Sequence, residues 1–366
     1  MLCGVTGLLI PGLQPLLLGA LADEHRVAAS DIGAVATAEL LCMGVTAGLA
    51  GSFLKAEHLK LIALIALTAL AALDIATAFA PNAQMLALRA AAGVPSGILV
   101  WITISLIARA PTPERWAGAY VTTQTLGQLL VAIVLSAFVM TRFGAAGGFI
   151  GLAVVCAINA IAIFWLPSTL APLPQAATTG LPNARGWIAL SVSFFVLAAT
   201  SGVWVFIERL SHQAGHTPAI AGQAVALSLA FQVAGGLAAT ALAGRISWLI
   251  ALIGCALIDI AVFVAFATLP TPPLFLAAAA AMGFIWLFTV PFLVPMTIEA
   301  DPTRRAALLI GGAQLIGGSL GPLFASFLIT DTDARGALAF AATCLALGVA
   351  IVLGLHATRT TSPSNV

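Results

Sequence analysis

Twelve apolar runs, each close to twenty residues long, punctuate this 366-residue chain. A helix of about 20 mostly apolar residues crosses the hydrocarbon core of a bilayer. It also satisfies its backbone hydrogen bonds within one segment, as the absence of water there demands. The runs are 2–22, 31–51, 60–80, 84–107, 116–140, 147–166, 186–208, 219–242, 247–268, 273–297, 306–329 and 335–356. The expected fold class is therefore all-α integral membrane protein with twelve transmembrane helices. Composition agrees: 61% of residues are hydrophobic and 7% charged, against roughly 25% charged in soluble domains. A net charge of +1 gives no case for a nucleic-acid partner. The five cysteines (Cys3, Cys42, Cys156, Cys255, Cys344) all lie in apolar runs. They read as small packing residues, with no disulfide and no metal ligand expected.

Met1 to Ala22 lacks the basic start of a signal peptide, and Pro11, Gly12 and Pro15 interrupt it. It is expected to be the first helix, beginning almost in the membrane. The longest polar interval, 167–185, is rich in Pro, Thr and Ala and suits an extended linker. The chain thus divides into a six-helix bundle at 1–166, a cytoplasmic linker at 167–185, a second bundle at 186–357 and a tail at 358–366. With both termini inside, Lys55, Lys60, Arg109, Arg115, Arg185, Arg245, Arg304, Arg305 and Arg359 are cytoplasmic. Arg26, Arg142, Arg209 and Arg335 lie outside, and this bias favours that orientation. Lysine is scarce while Ala and Leu abound, as a GC-rich bacterial genome encodes; the expected location is a bacterial cytoplasmic (inner) membrane.

The halves repeat each other. Arg115-x8-Gln124-x-Leu-Gly127 in the fifth run answers Arg305-x8-Gln314-x-Ile-Gly317 in the eleventh, and the same offset pairs Gly93 with Gly283. Leu73-Asp74-Ile-Ala76 in the third run answers Ile258-Asp259-Ile-Ala261 in the ninth. Duplicated six-helix halves form a known transporter architecture, with the site at mid-membrane between them.

On these features the chain resembles the major facilitator superfamily over nearly its whole length. Arg89-x3-Gly93-x3-Gly97 looks like the family's Arg-x-x-(Gln)-Gly signature, with Ala91 and Ala92 ahead of the glycine and no Gln. The run Ala38-Glu-Leu-Leu-Cys-Met-Gly44 resembles small bacterial members. Two departures stand out. The loop after the second run usually reads Gly-x-x-x-Asp-Arg-x-Gly-Arg, but here Lys55 takes the Asp position, and the matching loop keeps only Gly244-Arg245. The Gly-x3-Gly-Pro signature of drug antiporters is absent from the fifth run, and its look-alike, Gly317-x3-Gly321-Pro322, is in the eleventh. The resemblance implies two pseudo-symmetric bundles, alternating access and a monomer in the lipid bilayer.

Arg89 is the one cation among 14 Lys and Arg that falls within the hydrocarbon. A charge there costs at least a few kcal/mol unless it meets a partner or a wet cavity. Glu39, about 12 Å into the second run at 1.5 Å per residue, is its expected partner. At that depth desolvation favours the neutral acid and a nearby arginine favours the carboxylate, a balance suited to proton coupling. The pair reads either as a proton-carrying and anion-binding unit or as a fixed structural ion pair. Asp74 and Asp259 are further proton-coupling candidates, although the resemblance puts the third and ninth spans away from the cavity and favours structural roles. Gln14, set among prolines, is expected to face a ligand. Gln124 and Gln314 are expected as symmetrical substrate contacts or interhelical hydrogen bonds, and Trp101 and Trp286 as cavity walls or interface anchors. Glu208 and Arg245 are gate candidates at opposite faces. His212 and His216 are not expected to bind metal, since Gly215 and Pro218 predict a turn between helices. Gly44-x3-Gly48, Gly93-x3-Gly97 and Gly317-x3-Gly321 permit close helix approach.

No phosphate-binding glycine loop, His/Cys cluster or nucleophile beside a base is present, so an enzyme is not expected, nor is any cofactor beyond a driving proton gradient. The reading is a secondary active transporter of a small organic solute, leaning to an organic anion because of Arg89, and proton-coupled. The alternatives are proton-driven efflux of lipophilic or cationic compounds, as in multidrug antiporters, and a non-transporting receptor or scaffold of the same fold.

Overall fold

The computed structural model describes residues 1–54, 57–107, 109, 113–170, 181–242, 244–303 and 305–358. Lys55, Arg304, Arg359, most of the linker and the tail beyond residue 358 lie outside the described residues, as does the side chain of Arg115. The first half consists of α1 (Leu2–Gly7), α2 (Leu9–Asp23), α3 (Ile32–Phe53), α4 (Leu59–Phe79), α5 (Asn82–Ile107), α6 (Pro113–Val134) and α7 (Met140–Ala162). The second consists of α8 (Ala184–Trp204), α9 (Ile207–Gln213), α10 (Pro218–Leu242), α11 (Trp248–Ala267), α12 (Pro272–Ala300), α13 (Arg305–Ser326) and α14 (Gly336–Ala357).

Among the described residues, 11 helical runs are long and apolar enough to cross a membrane, one of them the 47-residue stretch Ala119–Trp165. That stretch is two spans. A π-helical turn at Leu135–Val139 precedes Gly144, whose φ of 58° and ψ of −153° break the helix. Glycine alone adopts such angles readily, and the Ala145 amide beyond the turn donates to the Glu24 carboxylate at 2.7 Å. Twelve spans result.

The first span breaks at Leu8, not within Pro11–Pro15 as its sequence predicts. Pro11 falls in the first turn of α2, where its missing N–H has no helical partner to lose. The Leu8 carbonyl, at the break, accepts from Gln128 Nε2 at 2.5 Å. Pro15 lies inside α2; lacking an N–H, it frees the carbonyl four residues back, that of Pro11.

Chain ends and loops define two faces. Arg185 donates to the Thr358 carbonyl at 2.6 Å on the face that holds the termini. On the far face Arg26 donates to the Thr77 and Ala80 carbonyls at 2.9 and 2.8 Å. At the terminal face the start of α13 is tied by Asp301, which accepts from Thr303 Oγ1 at 2.7 Å and the Ala306 amide at 3.0 Å. Desolvation raises this carboxyl, but those hydrogen bonds and Arg305 outweigh it and hold it below the usual carboxylate range. Its contribution is complete above the ordinary carboxylate pKa and is lost as pH falls through the lowered one. Asp301→Asn should therefore be less stable than wild type at pH 7, and melting curves of the two proteins should converge in acid.

The repeat is visible in the packing. Gly93 of α5 leaves no room for a Cβ against the Glu39 carbonyl of α3, and its counterpart Gly283 of α12 sits likewise against the Ser228 carbonyl of α10. One apolar core joins the halves toward the far face, through Leu17, Phe149, Trp204, Phe206 and Phe275. Toward the terminal face each half keeps a core of its own, around Leu67 and Ile102 in the first and Leu252 and Leu293 in the second.

Candidate functional site

Arg89 lies at the centre of a buried triad built by three helices of the first half. Its Nε donates to Glu39 Oε2 on α3 at 3.1 Å, and Nη2 donates to the other oxygen of the same carboxylate. Nη1 donates to Asp74 Oδ1 on α4 at 2.8 Å and to Thr77 Oγ1 at 3.3 Å. Thr77 in turn donates to the Leu73 carbonyl at 2.7 Å. The Phe149 ring of α7 covers the guanidinium, with its centroid 5.1 Å from Cζ. Arg89, Glu39 and Asp74 are 1%, 1% and 2% exposed.

Local sequence sets this geometry. Arg89, Gly93 and Gly97 follow one another at four-residue steps, hence on one face of α5. The two glycines bring that face onto α3 at Glu39, Met43 and Thr46, so the guanidinium meets the Glu39 carboxylate side-on, through Nε and Nη2, as a two-pronged fork. Asp74 and Thr77, three apart on α4, share the face that closes the other side. The adjoining void is about 10 Å³, with Thr6, Leu9, Leu70, Ser96 and Cys156 in its wall. That is about the least that holds one water, and no solute enters it.

The sequence matches the Major Facilitator Superfamily model over residues 2–316. This chain belongs to the major facilitator superfamily. It is a membrane transporter of a small solute and not an enzyme. The crystal structure of the nucleoside transporter NupG is similar over 97% of both chains, at 17% identity and a TM-score of 0.76. A bacterial homolog of the human lysosomal transporter Spinster, inward-facing and unoccupied, is similar over 98% of this chain and 94% of that one, at 13% identity and a TM-score of 0.62. At these identities the likeness is one of fold. No curated protein sequence matches the chain.

In this superfamily member the two halves meet at the far face and part toward the termini. Trp204 Nε1 of α8 donates across the seam to the Pro11 carbonyl at 2.7 Å, the group that Pro15 sets free. Thr37 Oγ1 of α3 donates to the Ser319 carbonyl of α13 at 2.5 Å, and Gly33 lies against the Pro322 carbonyl. Arg209 of α9 pairs with Asp23 at 3.1 Å. Gly33, Thr37, Gly44 and Gly48 form one stripe of α3, at steps of four, seven and four. Beyond Thr37 the stripe loses its partner: a Cβ on Gly44 or Gly48 would meet nothing within 4 Å, and the same is true of Gly311 and Gly312 on α13. Trp204→Phe leaves the Pro11 carbonyl buried and unpaired, at about 1–3 kcal/mol, and only while the far face is closed. It should shift the population toward an open far face by roughly five- to 150-fold, read as spin-label distances between the halves.

The other expected site residues fall in different places. Gln14 does not face a ligand: it is buried, and its Nε2 donates to the Ala36 carbonyl of α3 at 3.4 Å. Trp101 belongs to the inner core of the first half, not to a cavity wall. Arg89 is not open to substrate either, because four of its five N–H groups are already engaged. Trp286 is half-buried at the seam, edge-to-face with Trp204 at 5.9 Å. Gln124 and Gln314 are half-buried, and Gln314 Nε2 has no hydrogen-bond partner among the described residues. Asp259 has no arginine to match Arg89, whose repeat position is Ala279, and Asp259 Oδ1 has no hydrogen-bond partner among the described residues. Glu208 is buried at the far end of the seam, while Arg245 is exposed on the terminal face.

Sequence reasoning missed Trp204, Gln128 and Thr37, which donate to backbone carbonyls, and Ser319, whose carbonyl accepts from Thr37. It also missed a cavity of about 340 Å³ between α6, α10 and α12, lined by Thr122, Thr125, Gln232, Thr240, Leu287 and Pro291 among others. A larger groove of about 800 Å³ beside Phe79, Phe143 and Ile150 has a wholly apolar lining, suited to lipid chains.

Proposed function

We propose that this transporter couples proton movement to the passage of an uncharged, polar solute of about nucleoside size through the bacterial inner membrane. The observation that carries the coupling is the charge count of the triad. Among the described residues, one guanidinium faces two carboxylates with no fourth ion beside them. Both acids ionised would leave one net buried charge, which costs several kcal/mol. One proton shared between Glu39 and Asp74 makes the set neutral. A conformational change that opens the triad to water releases that proton, and resealing requires another.

The uncharged solute is supported by what the seam lacks. Among the described residues, the charges at mid-membrane are Glu39, Asp74, Arg89 and Asp259, all within the bundles and at most 4% exposed. The seam cavity instead offers threonine hydroxyls and the Gln232 amide on apolar walls, at a volume in the usual range for small ligands. This replaces the organic anion that a substrate-facing Arg89 would favour. With the termini cytoplasmic, as the loop cations favour, the open terminal face makes this an inward-facing state.

Proteoliposomes carrying the purified chain test both parts. Labelled nucleosides should exchange by counterflow without a gradient and accumulate when the outside is acidified, while organic acids should do neither. Glu39→Gln should keep counterflow and lose at least about 90% of acid-driven accumulation. Counterflow of organic acids alone would refute the solute class, and undiminished accumulation by Glu39→Gln would refute the coupling.

A further inference from the structure

Three potential metal ligands converge on the far end of the seam, and they come from both halves. Asp23 ends α2, while Glu208 and His212 are four residues apart on α9. One ligand atom from each lies within 4.8 Å of the other two. Glu208 is only 5% exposed, yet its Oε2 has no hydrogen-bond partner among the described residues. Gly19 makes the space for it, since a Cβ there would strike the Glu208 carboxylate. The Nε2 of His212 is also buried and unpartnered, while its Nδ1 lies 3.3 Å from Asp23 Oδ1.

We propose that Asp23, Glu208 and His212 form a site for a divalent transition metal of the zinc class, which clamps the halves together at the far face. Two carboxylates and one imidazole, with water as fourth ligand, make an ordinary open zinc set. The imidazole selects such metals over magnesium and calcium, which prefer all-oxygen sites. Zinc bonds of 2.0–2.2 Å place tetrahedral donors about 3.3 Å apart, so the ligand atoms, within 4.8 Å of one another, need to close in by at most about 1.5 Å. Two carboxylates balance the metal's charge. Arg209 also contacts Asp23 Oδ1, at 3.1 Å, and is anchored on the Asp331 carbonyl at 2.9 Å. A carboxylate has lone pairs enough for both cations. A cavity of about 580 Å³ with Asp23, His25, Arg209 and His212 in its wall gives the ion its way in. His216 takes no part: it packs against Phe275 at 5.2 Å.

The three ligands are together only while the far face is closed, so the metal acts on the conformational equilibrium. At a free concentration 100 times its Kd it favours the closed state about 100-fold, and so arrests the cycle. This holds for any solute or coupling ion and does not depend on the proton reading above.

The test uses the full-length protein in detergent, with zinc chloride as the probe and magnesium and calcium chloride for comparison. Titration calorimetry should give one zinc per chain, with no comparable binding of the other two ions. His212→Ala, on a part-exposed surface helix, and Asp23→Asn should each weaken zinc at least about tenfold. Spin labels at Gln84 and Thr332, on opposite halves, should show zinc narrowing the distance distribution in wild type and leaving it unchanged in His212→Ala. Equal zinc affinity in wild type and both variants would overturn the site. An unchanged wild-type distance distribution under saturating zinc would overturn the clamp.

Discussion

Arg89→Ala should be among the most damaging single substitutions in this chain. It removes the cation from two carboxylates that are 1% and 2% exposed, and breaking a buried ion pair by deleting one partner costs about 3–5 kcal/mol. The expected result is a steep fall in monodisperse protein after extraction and a lower melting temperature for what survives. Arg89→Lys should fall between, because an ammonium is a point charge and cannot replace the planar fork on Glu39 and the bond to Asp74 together. The decisive variant is the neutral triple, Arg89→Ala with Glu39→Gln and Asp74→Asn. With no charge left to bury, it should regain much of the lost stability while losing acid-driven accumulation. A single Arg89→Ala protein as stable as wild type would mean that the triad does not hold the charges assigned to it.

Some of this was legible in the chain before any fold was known. A lone arginine within an apolar run must find a partner, and Glu39 was the acid at matching depth. Asp74 was legible only in part. A guanidinium has five N–H donors and one carboxylate takes two in a fork, so Arg89 alone predicts a further acceptor, but not which helix supplies it. Gln14 lies elsewhere than the sequence predicts because Pro11 and Pro15 read as the break in the first span. A helix that restarts at Leu9 tolerates Pro11 in its first turn, and this moves the break to Leu8 and leaves Gln14 against the Ala36 carbonyl. Pro15 foretells that the Pro11 carbonyl needs a donor. That the donor is Trp204, 193 positions away, is a fact of packing between halves that local rules do not reach.

The stripe of α3 shows why sequence could not choose a conformation. Gly33, Thr37, Gly44 and Gly48 permit close approach along their whole length, and one sequence has to serve both the closed and the open seam. The structure separates their roles. At Gly33 an added Cβ would meet the Pro322 carbonyl and, at 2.7 Å, Ser326 Cβ. Gly33→Val therefore penalises the closed far face. Overpacking of this kind costs about 1–3 kcal/mol, which shifts the two-state ratio roughly five- to 150-fold toward an open far face. At Gly44 a Cβ meets nothing within 4 Å, so Gly44→Ala leaves the present state unstrained. Its penalty arises when α3 and α13 close at their terminal ends, and it should shift the ratio the other way. Spin-label pairs on each face should report opposite displacements for these two substitutions on one helix, with solute counterflow slowed in both, since a carrier held at either extreme completes few cycles. Displacements of the same sign would mean that the α3 stripe is not the surface on which both closures occur. Opposite signs would make a single line of small residues the element whose two ends seal in turn, because a rigid helix that pivots near Thr37 cannot press both ends against α13 at once.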